Sequence, residues 1–221
     1  MKKIFATILE SLGGKSTQGE PEPPKAVDVP AESIQFSMPT ISMDSIEFDM
    51  PTESSFDGAP QFHEDEWAQL EFFPGARLSE VKGLLTEFKS FEAKNRAQYG
   101  WKQIYRREIS RTSIGISPTD LGHALSAKIL PAPILTTSSQ PIGQVRHGYS
   151  LELGTNAFLY GLQGNGQITV LGVSLQGADD MLLSDAFLKL NQRHGLILVD
   201  WRQQLVLTSI NSNGQFELWR P

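Results

Sequence analysis

The side chains best suited to acid–base chemistry are Asp200 and the histidines. Asp200 ends the apolar run 196–201, and catalytic carboxylates often lie at the end of such a strand. His123 or His147 would supply a general base if the fold brought either beside it. Both histidines are isolated in sequence, however, and in an antiparallel hairpin Asp200 would more simply shape a turn with Arg202. A hydrolase with a dispersed active site near Asp200 and a histidine is therefore the alternative hypothesis.

Metal and cofactor chemistry has little support in the sequence. The run 63–66, His-Glu-Asp-Glu, contains ligand-type side chains, but four contiguous residues cannot all face one ion from a helix or a strand. The chain has no cysteine, which excludes thiolate metal sites, disulfides and a cysteine nucleophile. The glycines of the run 161–166 are spaced as in a hairpin turn and not as in a dinucleotide-binding loop. We therefore expect neither a metal nor a cofactor.

A cluster of basic residues is the first candidate for binding. Two aromatic residues, Trp101 and Tyr105, are interleaved with four cations: Lys102, Arg106, Arg107 and Arg111. Such a cluster could hold a nucleic-acid backbone or an acidic protein segment. Residues 63–221 carry 15 basic and 15 acidic groups, so the cluster lies in a neutral domain and an overall basic footprint is absent. We expect a protein partner and no nucleic acid.

A tandem repeat is the second candidate for binding. The segment 33–40, SIQFSMPT, recurs twelve positions later as 45–52, SIEFDMPT, with six of the eight residues identical. Its apolar residues alternate with polar ones, which in an extended chain places three apolar side chains on one face. The predicted partner-binding residues are these six: Ile34, Phe36, Met38, Ile46, Phe48 and Met50.

Two interpretations of the repeat remain open. Each copy could add to the sheet edge of another protein, and two tethered copies would then gain avidity. Alternatively, the copies dock on their own domain, with nearby carboxylates facing the basic cluster. We favour the external partner, because a duplicated strip gains little from a single intramolecular site.

The N-terminal quarter is predicted to lie outside the folded domain. Residues 1–13 carry apolar residues at helical spacing and indicate a short amphipathic helix that docks or frays; contact of residues 4–12 with a membrane surface is the less favoured alternative. Residues 14–61 are rich in proline, glycine, serine and carboxylates, which predicts a disordered acidic arm carrying the repeat. Residues 1–62 contain four basic and ten acidic groups, 4 − 10 = −6, so this part holds the whole net charge.

Residues 62–221 are predicted to form a single domain. Periodic apolar residues indicate helices over 77–97 and 181–194, with a shorter one after Pro118. Strands are expected at 149–153, 157–162, 168–175, 196–201, 204–210 and 215–219, several of them joined by tight Gly-Asn turns. This order predicts an α+β fold, an antiparallel sheet with two or three helices on one face.

The sequence thus favours a non-enzymatic protein-binding protein of the adaptor, chaperone-like or toxin-inhibitor (immunity) type. The chain has no stretch of about 18 to 20 apolar residues that could span a bilayer, and without cysteines or a secretion signal it is expected to be cytoplasmic. The partner would be another protein, bound through the repeat and the basic cluster.

Overall fold

The computed structural model describes residues 35–211 and 213–221. Over these residues the chain has an α+β fold with mostly antiparallel strands. The helices are Glu53–Phe56 (α1), Leu78–Asn95 (α2), Pro118–Leu125 (α3) and Asp180–His194 (α4). The strands are Thr40–Ser42 (β1), Phe48–Asp49 (β2), Gln61–His63 (β3), Leu70–Pro74 (β4), Tyr105–Arg107 (β5), Lys128–Leu130 (β6), Ile134–Thr136 (β7), Pro141–Val145 (β8), Gly148–Gly154 (β9), Ala157–Gly164 (β10), Gln167–Leu175 (β11), Leu196–Asp200 (β12), Leu205–Ile210 (β13) and Phe216–Trp219 (β14).

The largest sheet has eight strands in the order β14-β13-β12-β4-β11-β10-β9-β6, and all its neighbours are antiparallel. In its middle, Leu198 of β12 pairs with Phe72 of β4 on one side and Leu207 of β13 on the other. The hairpin between β10 and β11 turns at Asn165 and Gly166, which have φ angles of 52° and 75°, so the predicted turn is confirmed.

Helices cover both faces of this sheet. Successive side chains of a strand point to opposite faces, and along β12 Leu196 and Leu198 belong to one core cluster while Ile197 and Val199 belong to another. Helices α3 and α4 contribute buried residues to the first cluster, and α2 contributes to the second. The expectation that the helices share one face is therefore not confirmed.

The helices begin and end where local chemistry dictates. The side chain of Asp179 accepts a hydrogen bond from the backbone N–H of Met181 at the start of α4. The helix ends at Gly195, whose φ of 61° is the left-handed conformation that glycine adopts without strain. Ser117 caps α3 in the same way through the N–H of Asp120. The predicted helices 77–97 and 181–194 are thus found within a few residues.

Residues 35–61 belong to the domain, which corrects the prediction that the fold starts near residue 62. Strand β1 pairs in parallel with β5, with Thr40 opposite Tyr105, and β2 pairs antiparallel with β8, with Phe48 opposite Val145. The prediction failed because β1 and β2 have only three and two residues and are completed by partners far along the chain. The expected helix 1–13 and the arm segment 14–34 lie outside the described residues.

A second sheet, in the order β2-β8-β7-β3, packs on the large one. A third core cluster joins Phe62, Trp67, Leu135 and Val145 to Tyr160 and Val170 of the large sheet. Ile46 and Phe48, which precede all of these residues in the chain, also pack against this cluster. None of the helices in the described part of the chain has the length and apolar character needed to cross a bilayer.

Candidate functional site

The second copy of the repeat lines a cleft in its own domain. Ile46 and Phe48 are half-buried against the third core cluster, whereas Met50 is 89% exposed and points to solvent. The three apolar side chains therefore do not form one strip. Strand β2 ends at Asp49, and after Pro51 the side chain of Thr52 caps α1 by accepting a hydrogen bond from the N–H of Ser55.

The first copy follows a different path. Phe36 forms an isolated antiparallel bridge with Trp101, and with Ile104 and Arg106 it borders a small pocket of about 300 Å³. Met38 is half-buried, and Thr40 begins β1. Ile34 lies outside the described residues. The two copies are thus not equivalent in structure, although they are nearly identical in sequence.

The predicted basic cluster divides between surface and core. Lys102 and Arg106 are exposed, while Arg107 is buried and Arg111 is only 16% exposed at its side chain. In β5, alternation turns Tyr105 and Arg107 inward and Arg106 outward. A continuous basic surface made of all four side chains, as the sequence suggested, does not form.

Arg107 is held inside the domain by short hydrogen bonds. Its two terminal nitrogens donate to Thr40 Oγ1 and to the carbonyl oxygen of Ala68, both at 2.8 Å. The guanidinium carbon also lies 4.9 Å from the centre of the Trp201 ring, in cation–π geometry. Burial lowers the pKa of Arg107 to about 10, against the opposing charge of Glu71. Arg107 thus fixes β1 to the interior.

Arg111 is the centre of a buried ion network. Its Nε and one terminal nitrogen donate to the two carboxylate oxygens of Asp44 at 2.5 and 2.8 Å, and its other terminal nitrogen donates to Glu71 at 2.9 Å. Asp44 also accepts from the indole N–H of Trp67 at 2.9 Å, and Glu71 accepts from that of Trp201 at 2.8 Å. Two carboxylates and two guanidinium groups balance within this network.

The two carboxylates of the network respond differently to burial. Burial acts to raise the pKa of Asp44, but the hydrogen bonds and charge of Arg111, with bonds from Trp67 and Ser42, hold that pKa below its ordinary value. Glu71 is fully buried, and this desolvation raises the pKa of its carboxyl despite the nearby charges of Arg111 and Arg107. Asp44 is therefore a carboxylate that the fold stabilises in its ionised form.

Above Asp44 lies a cleft of about 390 Å³, here called the acidic cleft. Its apolar floor and walls come from Ile41, Ile46, Phe48, Trp67 and Leu135. Its rim carries Glu64 and Asp65, which belong to a 3-10 helix, Glu64–Glu66, here called the acidic turn. The acidic run 63–66 directly precedes Trp67 in the sequence, but no sequence pattern indicates that residues 41–48 lie opposite it.

Asp200 lies on the other side of the acidic turn, in a recess of about 430 Å³, here called the Asp200 recess. Its Oδ1 accepts a hydrogen bond from the N–H of Gln203 at 2.8 Å, as expected for a carboxylate that shapes a turn. Burial raises its pKa, and the N–H groups of Gln203 and Arg202 oppose that shift. No histidine is among the described residues that line this recess.

The histidines lie elsewhere. His123 is on the exposed side of α3, His147 is in the turn between β8 and β9, and His194 is in the last turn of α4. Within residues 35–211 and 213–221, no three His, Asp or Glu side chains are grouped so that they could hold a metal ion. Comparisons of the chain with models of protein families, with curated proteins and with solved structures found no match.

Proposed function

We propose that this protein is a non-enzymatic protein-binding protein. Its acidic cleft binds a basic segment of a partner that carries an apolar residue at its tip. The observation that carries the proposal is the charge of the chain that builds the cleft. Residues 35–76 contain no lysine or arginine and nine carboxylates: Asp44, Glu47, Asp49, Glu53, Asp57, Glu64, Asp65, Glu66 and Glu71. An adaptor, a chaperone-like protein or a toxin inhibitor would each use such a surface.

Other parts of the chain neutralise only some of these carboxylates. Arg111 pairs with Asp44 and Glu71, and Arg146 pairs with Glu47 and Asp49 at 2.6 and 2.7 Å. The rim carboxylates Glu64 and Asp65 are absent from the Lys and Arg ion pairs of the described residues, and the Asp65 carboxylate lies 3.5 Å from the His63 imidazole. The rim is therefore negative, and it favours a cationic partner.

The floor of the cleft supplies the apolar part of recognition. Aromatic side chains in enclosed pockets dominate the binding energy of most protein interfaces, and here the Trp67 and Phe48 rings border a space large enough for a side chain or two. Trp67 is held in place by its hydrogen bond to Asp44, so the floor is organised before binding. The repeat residues Ile46 and Phe48 act in this proposal as part of the receiving surface, and not as the ligand.

The test uses a fluorescein-labelled peptide of alternating lysine and leucine, measured by fluorescence anisotropy. The double variant Glu64→Lys/Asp65→Lys reverses the rim charge, and Glu53→Lys/Asp57→Lys makes the same change in net charge on exposed residues of and beside α1. We expect saturable binding to the wild type and at least about tenfold weaker binding to the rim variant. The α1 variant should bind within about threefold of the wild type.

Equal losses in the two double variants would contradict the proposal, because they would indicate only long-range attraction between a basic peptide and an acidic protein. A matched peptide of alternating glutamate and leucine should not bind. If it bound as well as the basic peptide, apolar contact alone would explain the association and the rim would have no role.

A further inference from the structure

The Asp200 recess contains polar groups that the fold leaves without partners. It lies between the end of β12, the end of β11 and the acidic turn. Gln69 and Ser174 both line it, and they are 6% and 5% exposed. Within the described part of the chain, Gln69 Oε1 and Ser174 Oγ are buried and form no hydrogen bond. Buried polar atoms in native proteins are nearly always paired. Four side-chain atoms of the described residues are buried and unpaired, and Gln69 Oε1 and Ser174 Oγ are the two whose residues line this recess, where a bound ligand would pair them.

Gln69 shows which chemistry is missing. Its Nε2 already donates to the carbonyl oxygens of Thr40 and Asp65 at 2.9 and 2.8 Å, which fixes the orientation of the amide. The remaining Oε1 can only accept a hydrogen bond. A ligand that satisfies Gln69 must therefore bring a donor.

The charged groups of the recess point to the same chemistry. Glu66 and Asp200 supply two carboxylates and Arg202 one guanidinium, which leaves the lining with a formal charge of −1. None of these three side chains takes part in an ion pair among the described residues. Carboxylates thus outnumber guanidinium groups two to one, and they come from different elements that surround one space.

We propose that the Asp200 recess binds the guanidinium group of an arginine side chain. A guanidinium is planar and carries five N–H donors in a fixed fork, enough for Glu66, Asp200 and Gln69 together. An ammonium has three donors and no planar fork, so it satisfies this set less well. The apolar side chains Leu70, Val173 and Leu175 would cover the methylene stem of the arginine.

The recess adjoins the acidic cleft through the acidic turn, because Glu64 and Asp65 face the cleft while Glu66 lines the recess. The source of the arginine rests on the proposed function: it would belong to the basic segment that enters the cleft. The recess itself is defined by its own residues and can be tested without that segment.

The experiment titrates the full chain with butylguanidinium and, separately, with butylammonium, following backbone amide signals by NMR. The variants are Glu66→Gln and Asp200→Asn; the latter keeps an oxygen that can accept from the Gln203 N–H. Asp65→Asn, on the cleft side of the same turn, is the matched control. With butylguanidinium we expect saturable shifts of the Ser174 and Gln203 amide signals in the wild type. Its affinity should be at least about tenfold lower in both recess variants, and butylammonium should bind the wild type at least about tenfold more weakly than butylguanidinium does. The control should retain the wild-type affinity.

The inference is overturned if butylguanidinium does not saturate the wild type, if Asp65→Asn weakens binding as much as Asp200→Asn, or if butylammonium binds equally well. Amide spectra of the free variants establish that each is folded before the titration. If butylguanidinium does not bind but the lysine–leucine peptide does, the guanidinium site in the recess is contradicted and the proposed function stands. If butylguanidinium binds saturably but the lysine–leucine peptide does not, the guanidinium site stands and the proposed function is contradicted.

Discussion

Replacing Asp44 by asparagine tests whether the ion network attaches residues 35–61 to the domain. Asparagine keeps the size of the side chain and one oxygen acceptor, but it removes the negative charge that faces Arg111. The network of Asp44, Glu71, Arg107 and Arg111 then changes from balanced to one net positive charge. The Asp44 side chain is 4% exposed and its contacts with Arg111 are 2.5 and 2.8 Å, so solvent cannot compensate for the loss.

The expected cost follows from the behaviour of buried ion pairs. Removing one partner of such a pair costs about 3–5 kcal/mol of folding free energy. Because Glu71 stays beside Arg111 and the amide oxygen still accepts a hydrogen bond, we expect the lower end, about 3 kcal/mol. For a domain of this size that loss lowers Tm by about 6–12 °C.

The control is Asp49→Asn. Asp49 also pairs with an arginine, Arg146, but both side chains are about half exposed, and exposed pairs contribute little to stability. Urea denaturation followed by tryptophan fluorescence should show a much lower midpoint for Asp44→Asn and an unchanged midpoint for Asp49→Asn. A midpoint for Asp44→Asn that matches the control would refute the role given to the network.

The same variant has a pH signature. The pKa of Asp44 is lowered in the fold, so its carboxylate stabilises the native state above the unfolded pKa of about 4, and this contribution is lost as the pH falls through the lower folded pKa. The stability difference between wild type and Asp44→Asn should therefore be complete at pH 7 and shrink in the acid range below pH 4. A difference that stayed constant down to pH 2 would contradict the assignment.

Three further changes test the packing of the fold, the two substitutions by urea denaturation and the truncation by thermal denaturation. Phe48→Ser should cost about 1–3 kcal/mol, because it removes a half-buried ring that packs against the third core cluster, while Met50→Ser, at an exposed position two residues later in the same copy of the repeat, should cost nothing measurable. Gly161→Ala should prevent normal pairing of β10 and β11, since the added Cβ would overlap the Val170 carbonyl oxygen; wild-type stability would contradict this register. A chain that begins at residue 62 lacks β1, β2 and the Asp44 carboxylate, and it should melt at least about 10 °C below the full chain.

The sequence allowed helices α2 and α4 and the strands after residue 148 to be predicted because these elements are long and locally marked, whereas the short strands β5 to β8 were not predicted. Helices α2 and α4 have 18 and 15 residues with periodic apolar faces, and α4 carries both an Asp cap and a terminal glycine. The strands after residue 148 alternate or run apolar between glycine-rich turns. In such segments local propensity, periodicity and tertiary packing favour the same structure.

The candidate site could be predicted only in part. The N-terminal segment that carries the repeat does meet Arg111, but through Asp44, which lies 67 positions before Arg111 in a pairing that no local pattern indicates. Arg107 belongs to the basic cluster that the sequence predicts to bind a partner, but the fold buries it, and its hydrogen-bond partners Thr40 and Ala68 lie in other segments. No sequence pattern points to Gln69 or Ser174. Both matter because Gln69 Oε1 and Ser174 Oγ have no hydrogen-bond partner among the described residues, which only the folded structure reveals.

Whether the acidic cleft binds a basic segment is tested by an NMR titration of the lysine–leucine peptide into the full chain, observed at the tryptophan indole N–H signals. The indole of Trp67 lies in the acidic cleft and donates to Asp44, whereas Trp101 and Trp219 lie outside the cleft lining. We expect a saturable shift of the Trp67 indole signal with little change at Trp101 and Trp219. Saturable peptide binding that leaves the Trp67 signal unmoved would contradict binding in the acidic cleft.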